Sequence, residues 1–202
     1  MRRRALLALA AAWALPLPRA ARAGAQVYEE LGASLRASLQ GAIADRAVPF
    51  LNFRDPGDAQ KWIYEMTRRL QPRVPDRKTR FEFLKTVQFE ATRAALDPQL
   101  VLGLIEVESN FRKYAVSRAG ARGYMQVMPF WVKLIGAPGH NLFRLRTNLR
   151  YGCVILRHYL DQEKGDYFRA LGRYNGSLGQ AEYPNLVHAS WRGRWKYDGT
   201  TG

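Results

Sequence analysis

Three observations predict a mostly α-helical protein. Apolar residues recur at three- and four-residue spacing in one segment after another. N-cap residues precede several of these segments, and glycines or prolines close them. No run alternates apolar and polar residues for long enough to build a strand ladder. The 202 residues suffice for one well-packed domain, or one domain with an added subdomain. Apolar residues make up 47% and charged residues 24%, a globular composition that argues against general disorder, and neither repeats nor low-complexity segments are visible.

The first 23 residues are expected to lie outside the fold. "MRRR" is a basic leader, "ALLALAAAWALPLP" is an apolar run of signal-peptide length, and "ARA" supplies small residues before a cut at Gly24. The run is short for a membrane span, which disfavours an uncleaved anchor. No cysteine follows the cut, so a lipoprotein is not indicated. Removing the five leader arginines takes the net charge from +15 to +10. An exported, periplasmic chain this basic suits an anionic envelope polymer, a membrane surface or an envelope machine. No nucleic-acid motif is visible and the basic residues are scattered, so no nucleic-acid partner is expected.

Residues 24–77 read as an N-terminal helical region. "VYEELGASLRASLQGAI" sets Leu31, Leu35 and Leu39 four residues apart, and an aromatic-rich helix is expected over about 59–70. "QPRVPDR" breaks the pattern, and the boundary is drawn near Arg77. Residues 78–202 then form the main domain. A helix over 79–95 would group Phe81, Leu84, Val87, Gln88 and Ala91. Asp97 caps the next helix, Pro98 fits its first turn, and it runs to about Asn110. "VSRAGARGYMQVMP" reads as a loop with a short extended piece. A short helix over 130–135 ends at Gly136, and "GAPGHN" is loop. "TNLRYGCVILRHYLDQE" is a strong helix capped by Asn148 or Thr147, with Gly165 beyond its end. Asp166 caps a shorter helix stopped by Gly176, and the tail from Gly179 is mixed.

The single cysteine, Cys153, excludes an intramolecular disulfide and reads as a small buried apolar residue. His140, His158 and His188 show no metal-ligand spacing, so neither metal nor cofactor is expected.

The chemistry concentrates in "IEVESNF". On a wheel of about 100° per residue, Leu100, Val101, Leu104, Ile105 and Val107 share one arc. Glu108 falls near its middle, whereas Glu106 points to the opposite side, where water is expected. Glu108 is thus aimed at the core from the last turn, where the helix dipole disfavours negative charge. Burial of a carboxylate favours its protonated form, the state a general acid needs. A structural glutamate bonded to backbone or an arginine remains the alternative at this point.

"ESNF" is followed by "AVSRAGARGYMQVMP" and later by "GRYNGS". This ordered set resembles the lytic transglycosylase family with the soluble lytic transglycosylase catalytic domain, over roughly residues 86–180. The resemblance implies a lysozyme-like fold of the goose-type-lysozyme kind, with an N-terminal helical extension. It implies cleavage of the β-1,4 MurNAc–GlcNAc bond of peptidoglycan with formation of a 1,6-anhydro end, and Glu108 as the single acid/base. Tyr174 would hydrogen-bond Glu108 or line the cleft, and Ser109 would support the helix end. Ser117, Gly123, Gln126, Met128 and Asn175 would meet glycan. Peptidoglycan strands would be the partner of a monomeric enzyme. A hydrolytic muramidase and a non-catalytic wall-binding scaffold are the alternative readings. Tyr124, Arg173 and "NGSLG" depart from the family pattern, and Arg173 is expected to face an acidic peptide stem.

Overall fold

The computed structural model describes residues 26–44, 47 and 49–199. The leader expected over residues 1–23 lies outside the described residues. Eight helices follow one another: α1 (Ala33–Ala44), α2 (Pro56–Leu70), α3 (Arg77–Arg93), α4 (Pro98–Ser109), α5 (Phe130–Ile135), α6 (Leu145–Gln162), α7 (Tyr167–Asn175) and α8 (Glu182–Arg192). Among the described residues the extended structure is confined to isolated bridges, Val116 to Arg122 and Arg122 to Val127. The mostly helical class read from the sequence is the observed one.

Helix α4 is the centre of the molecule. Asp97 caps it by accepting from the Gln99 amide at 2.8 Å, and Pro98 occupies its first turn. Ten of its twelve residues are buried, so it is covered nearly all round. It packs on α3 and, most extensively, on α8. The close crossing with α8 needs Gly103: a Cβ there would stand 2.9 Å from the Trp191 backbone nitrogen. Asp97 also accepts from the Trp191 indole at 2.8 Å, so the start of α4 holds α8 from a second point. Asn110, with φ 48°, ends α4 in the left-handed conformation and turns the chain into the loop that follows.

Helices α6 and α7 flank α3 and α8, while α1 lies across α5 and α6. Buried Glu90 of α3 gathers Arg93, Arg146 and Arg150, and these arginines also donate to the carbonyls of Ala42, Ile43 and Ala47. The C-terminal end of α1 is fixed to the rest of the molecule through that cluster.

Several elements differ from the sequence reading. Helix α1 starts at Ala33, so Leu31 is buried ahead of the helix and Leu35 is largely exposed. Helix α2 starts at Pro56, because Asp55 caps it by accepting from Gly57. Phe81 is exposed, and Phe83 takes the core position beside Leu84, Val87 and Ala91. Helix α6 begins at Leu145 with Arg144 as its cap, so neither Thr147 nor Asn148 caps it. The largest departure is α8, an eleven-residue helix in the supposedly mixed tail.

Candidate active site

Glu108 sits in the last turn of α4 and is 4% exposed. The Tyr183 hydroxyl, carried by the first turn of α8, donates to its Oε1 at 2.6 Å. Burial, then the charge on Glu108, pushes the Tyr183 hydroxyl well above the usual tyrosine range, so it remains a donor. Tyr174 is raised for the same two reasons, which places it in the same electrostatic neighbourhood.

The hydroxyl of Tyr174, however, donates to the carbonyl of Met125 at 2.8 Å. The direct phenol contact to Glu108 expected of Tyr174 is made instead by Tyr183. The sequence carries a signal for Tyr183: Tyr183, Val187 and Trp191 lie four residues apart, all three are buried, and Pro184 fits a first turn.

Glu106 is the second correction. It does not face open water, because α8 and the following residues cover that side of α4. Its carboxylate accepts from Ser190 Oγ at 2.6 Å and Trp195 Nε1 at 2.9 Å, and it pairs with Arg194 at 3.0 Å and with Arg73. A wheel of one helix cannot show a face that a distant segment will cover.

The loop between α4 and α5 is held by side chains within it and around it. Ser109 Oγ lies 2.7 Å from the Tyr124 carbonyl and 3.3 Å from that of Ile105, tying the helix end to the loop. Ser117 Oγ accepts from the Ala121 amide at 3.1 Å. Gln126, at φ 48°, uses its amide nitrogen on the carbonyls of Ala115 and Gly123, at 3.1 and 2.8 Å. Gly123 has φ 76°, and a Cβ there would lie 2.5 Å from the Leu142 carbonyl, so its glycine is needed for packing as well as for the turn. Asn148 is fully buried and organises the same loop: Oδ1 accepts from Met125 N, and Nδ2 donates to the carbonyls of Arg122 and Leu142, each at 2.8 Å.

Met128 is half-buried against the core, and Met125 is wholly within it. Gln26 straps this segment from the other end of the chain: its Nε2 donates to the Gln126 carbonyl at 3.1 Å and its Oε1 accepts from the Met128 amide at 2.9 Å. Asn175 closes α7, with Nδ2 donating to Ser177 Oγ at 2.9 Å. Arg173 pairs with Glu163 and, at 3.2 Å, with Glu29, so it is engaged inside the molecule and does not await a peptide stem.

The acids that follow Glu108 have other occupations. Asp161 pairs with Arg157, Glu163 with Arg169 and Arg173, and Asp198 with Lys196. Asp166 caps α7, and Glu182 is exposed in the first turn of α8. No group of three or more His, Cys, Asp or Glu residues suited to a metal occurs among the described residues. Cys153 is buried, which pushes its thiol well above the usual range.

A helical domain with a buried glutamate closing its central helix, followed by a glycine-punctuated loop, matches the family model described as "Transglycosylase SLT domain" over residues 85–186. The chain belongs to that family. It is 33% identical over 102 residues to a transglycosylase of Enterobacteria phage PRD1, covering 50% of this chain and 37% of that protein. It is 30% identical over 103 residues to the membrane-bound lytic murein transglycosylase C of Klebsiella pneumoniae (strain 342), covering 51% of this chain and 28% of that one. The crystal structure of the 70 kDa soluble lytic transglycosylase of Escherichia coli aligns over 80% of this chain and 27% of that one, with a TM-score of 0.43 and 17% identity. The matched region thus spans well under half the length of these relatives.

Proposed function

We propose that the protein is an exported lytic transglycosylase that cleaves the β-1,4 MurNAc–GlcNAc bond of peptidoglycan in the periplasm. The observation that carries the reading is the buried Glu108, hydrogen-bonded by Tyr183, within the span matched by the transglycosylase family model.

Glu108 acts first as an acid and then as a base. With Oε1 accepting from Tyr183, it delivers its proton to the glycosidic oxygen. As the bond to C1 breaks, the substrate's own acetamido group stabilises that carbon. Glu108, now a carboxylate still receiving the Tyr183 hydrogen bond, takes the proton of the muramic C6 hydroxyl. That oxygen closes on C1 and leaves a 1,6-anhydro end. A two-carboxylate glycosidase would need a partner acid flanking the bond. The later acids are occupied as caps or ion pairs or lie exposed, which supports a one-carboxylate scheme. Ser117, Gly123, Gln126 and Met128 shape the glycan-facing loop in this reading, Asn175 meets glycan from the end of α7, and Tyr174 and Ser109 position the loop.

Mass spectrometry of purified sacculi digested by the protein and by Glu108→Gln tests the proposal. Anhydro-muropeptides released by the parent alone are the expected result. Reducing ends would move the protein to the hydrolytic muramidases. Silence from both proteins would favour a wall-binding scaffold.

A further inference from the structure

We propose that Tyr114, Phe143, Lys113 and Arg122 form a glycan-binding surface, on and beside the α4–α5 loop, that holds an anionic amino-sugar polymer. The proposal rests on the peptidoglycan reading above and extends it to residues that reading does not use.

The first observation is one of charge. Residues 109–160 contain no aspartate or glutamate and nine lysines or arginines. At the chain's overall frequency of 17 acids in 202 residues, this 52-residue stretch would hold about four. Three of its arginines, Arg146, Arg150 and Arg157, find acids elsewhere in the sequence. Arg112, Lys113, Arg118 and Arg122 are exposed and are ion-paired to nothing among the described residues. Exposed cations in a stretch of sequence with no acid of its own attract carboxylates.

The second observation is apolar. Tyr114 is 70% exposed, and its ring centroid stands 5.8 Å from that of Phe143. Each ring has a cation beside it: Lys113 Nζ is 5.1 Å from the Tyr114 centroid, and the Arg122 guanidinium carbon is 5.9 Å from that of Phe143. The exposed Tyr114 ring, backed by the half-buried Phe143, offers a flat apolar face to the C–H side of a pyranose, and the neighbouring cations suit the carboxylates that a muropeptide strand carries.

The third observation is that the surface is braced. Asn148 binds the carbonyls of Arg122 and Leu142, the residue before Phe143, with one amide group. The Gly123 amide donates to the Ala115 carbonyl at 2.9 Å, anchoring the residue after Tyr114. Two loops from different parts of the chain are therefore clamped so that both rings and both cations lie together.

The test uses the full chain carrying Glu108→Gln, so that the polymer is not consumed, and measures co-sedimentation with purified sacculi. In that background, Tyr114→Ala and the double change Lys113→Ala with Arg122→Ala are each expected to raise the half-saturation concentration about tenfold, with unchanged melting temperature. Added salt should weaken the parent more than the double variant. Unchanged co-sedimentation by both variants overturns the proposal. Tighter binding of a single-stranded oligonucleotide than of sacculi at about 0.15 M salt, lost in the same variants, overturns it in favour of nucleic acid. Product release by the protein with Glu108 intact is scored separately. Tyr114-dependent binding without products leaves this surface standing and removes the catalytic reading. Products with Tyr114-independent binding remove the surface alone.

Discussion

Glu90 and Glu108 are both glutamates taken almost wholly out of water, at 1% and 4% exposure. Their company differs. Glu90 is met by guanidinium groups, with Arg150 at 3.0 Å, Arg93 at 3.1 Å and Arg146 at 3.8 Å. Cations surround this carboxylate, and the same arginines clamp the end of α1. Glu108 is met by a phenol, Tyr183, with a second, Tyr174, close enough to feel its charge. A phenol donates equally well to a carboxylate and to the carbonyl oxygen of a protonated acid, so it tolerates a proton that comes and goes. Burial alone does not make a general acid; in the proposed reading the chemistry of the neighbours separates Glu90, a staple, from Glu108, a reagent.

Exchanging each acid for its amide tests that contrast directly. Glu108→Gln should lower anhydro-muropeptide release by about a thousandfold, measured as product per mole of folded protein, with little change in melting temperature. Glu90→Gln should do the opposite. It breaks the buried ion cluster and is expected to cost about 3–5 kcal/mol in chemical denaturation, while the folded fraction keeps its turnover. Equal stability losses in the two variants would erase the distinction. Tyr183→Phe removes the phenol that donates to Glu108 Oε1 and should reduce kcat about tenfold to a hundredfold, chiefly at fixed KM. Gly103→Ala pushes α8 away from α4 at the Trp191 backbone and should cost about 1–3 kcal/mol, lowering turnover because Tyr183 moves with α8. The smallest effect concerns a phenol remote in function, Tyr151, which burial pushes up to about 12 from an ordinary 10.0. Its folded-state value is the higher one, so its contribution is complete below pH 10 and is lost as the pH rises towards 12. Melting temperature should fall over that window, and less steeply in Tyr151→Phe.

Much of this architecture was legible in the residues themselves. Asp97–Pro98, Asp166 and Gly176 mark helix ends by their own chemistry, and they lie where those helices start and stop. Glu108 could be separated from Glu106 because an apolar arc surrounds it on a single helix. What the sequence hid was long-range. Glu106 was assigned to water since nothing local covers it, yet Ser190, Arg194 and Trp195 arrive from more than eighty residues away. Asn148 looked like a cap by residue type, but its amide spans a junction of loops that exists only after folding. Helix α8 is obscured in the sequence by the glycines on either side of it, although its own four-residue apolar spacing is present.

Tyr183 comes 75 residues after Glu108. During synthesis the glutamate therefore leaves the ribosome long before its phenol, and domains complete their packing only when the last contributing segment has emerged. A nascent chain, or one clipped just beyond Gly176, carries the acid in an unfinished setting. The Glu108–Tyr183 contact is complete only once α8 docks onto α4.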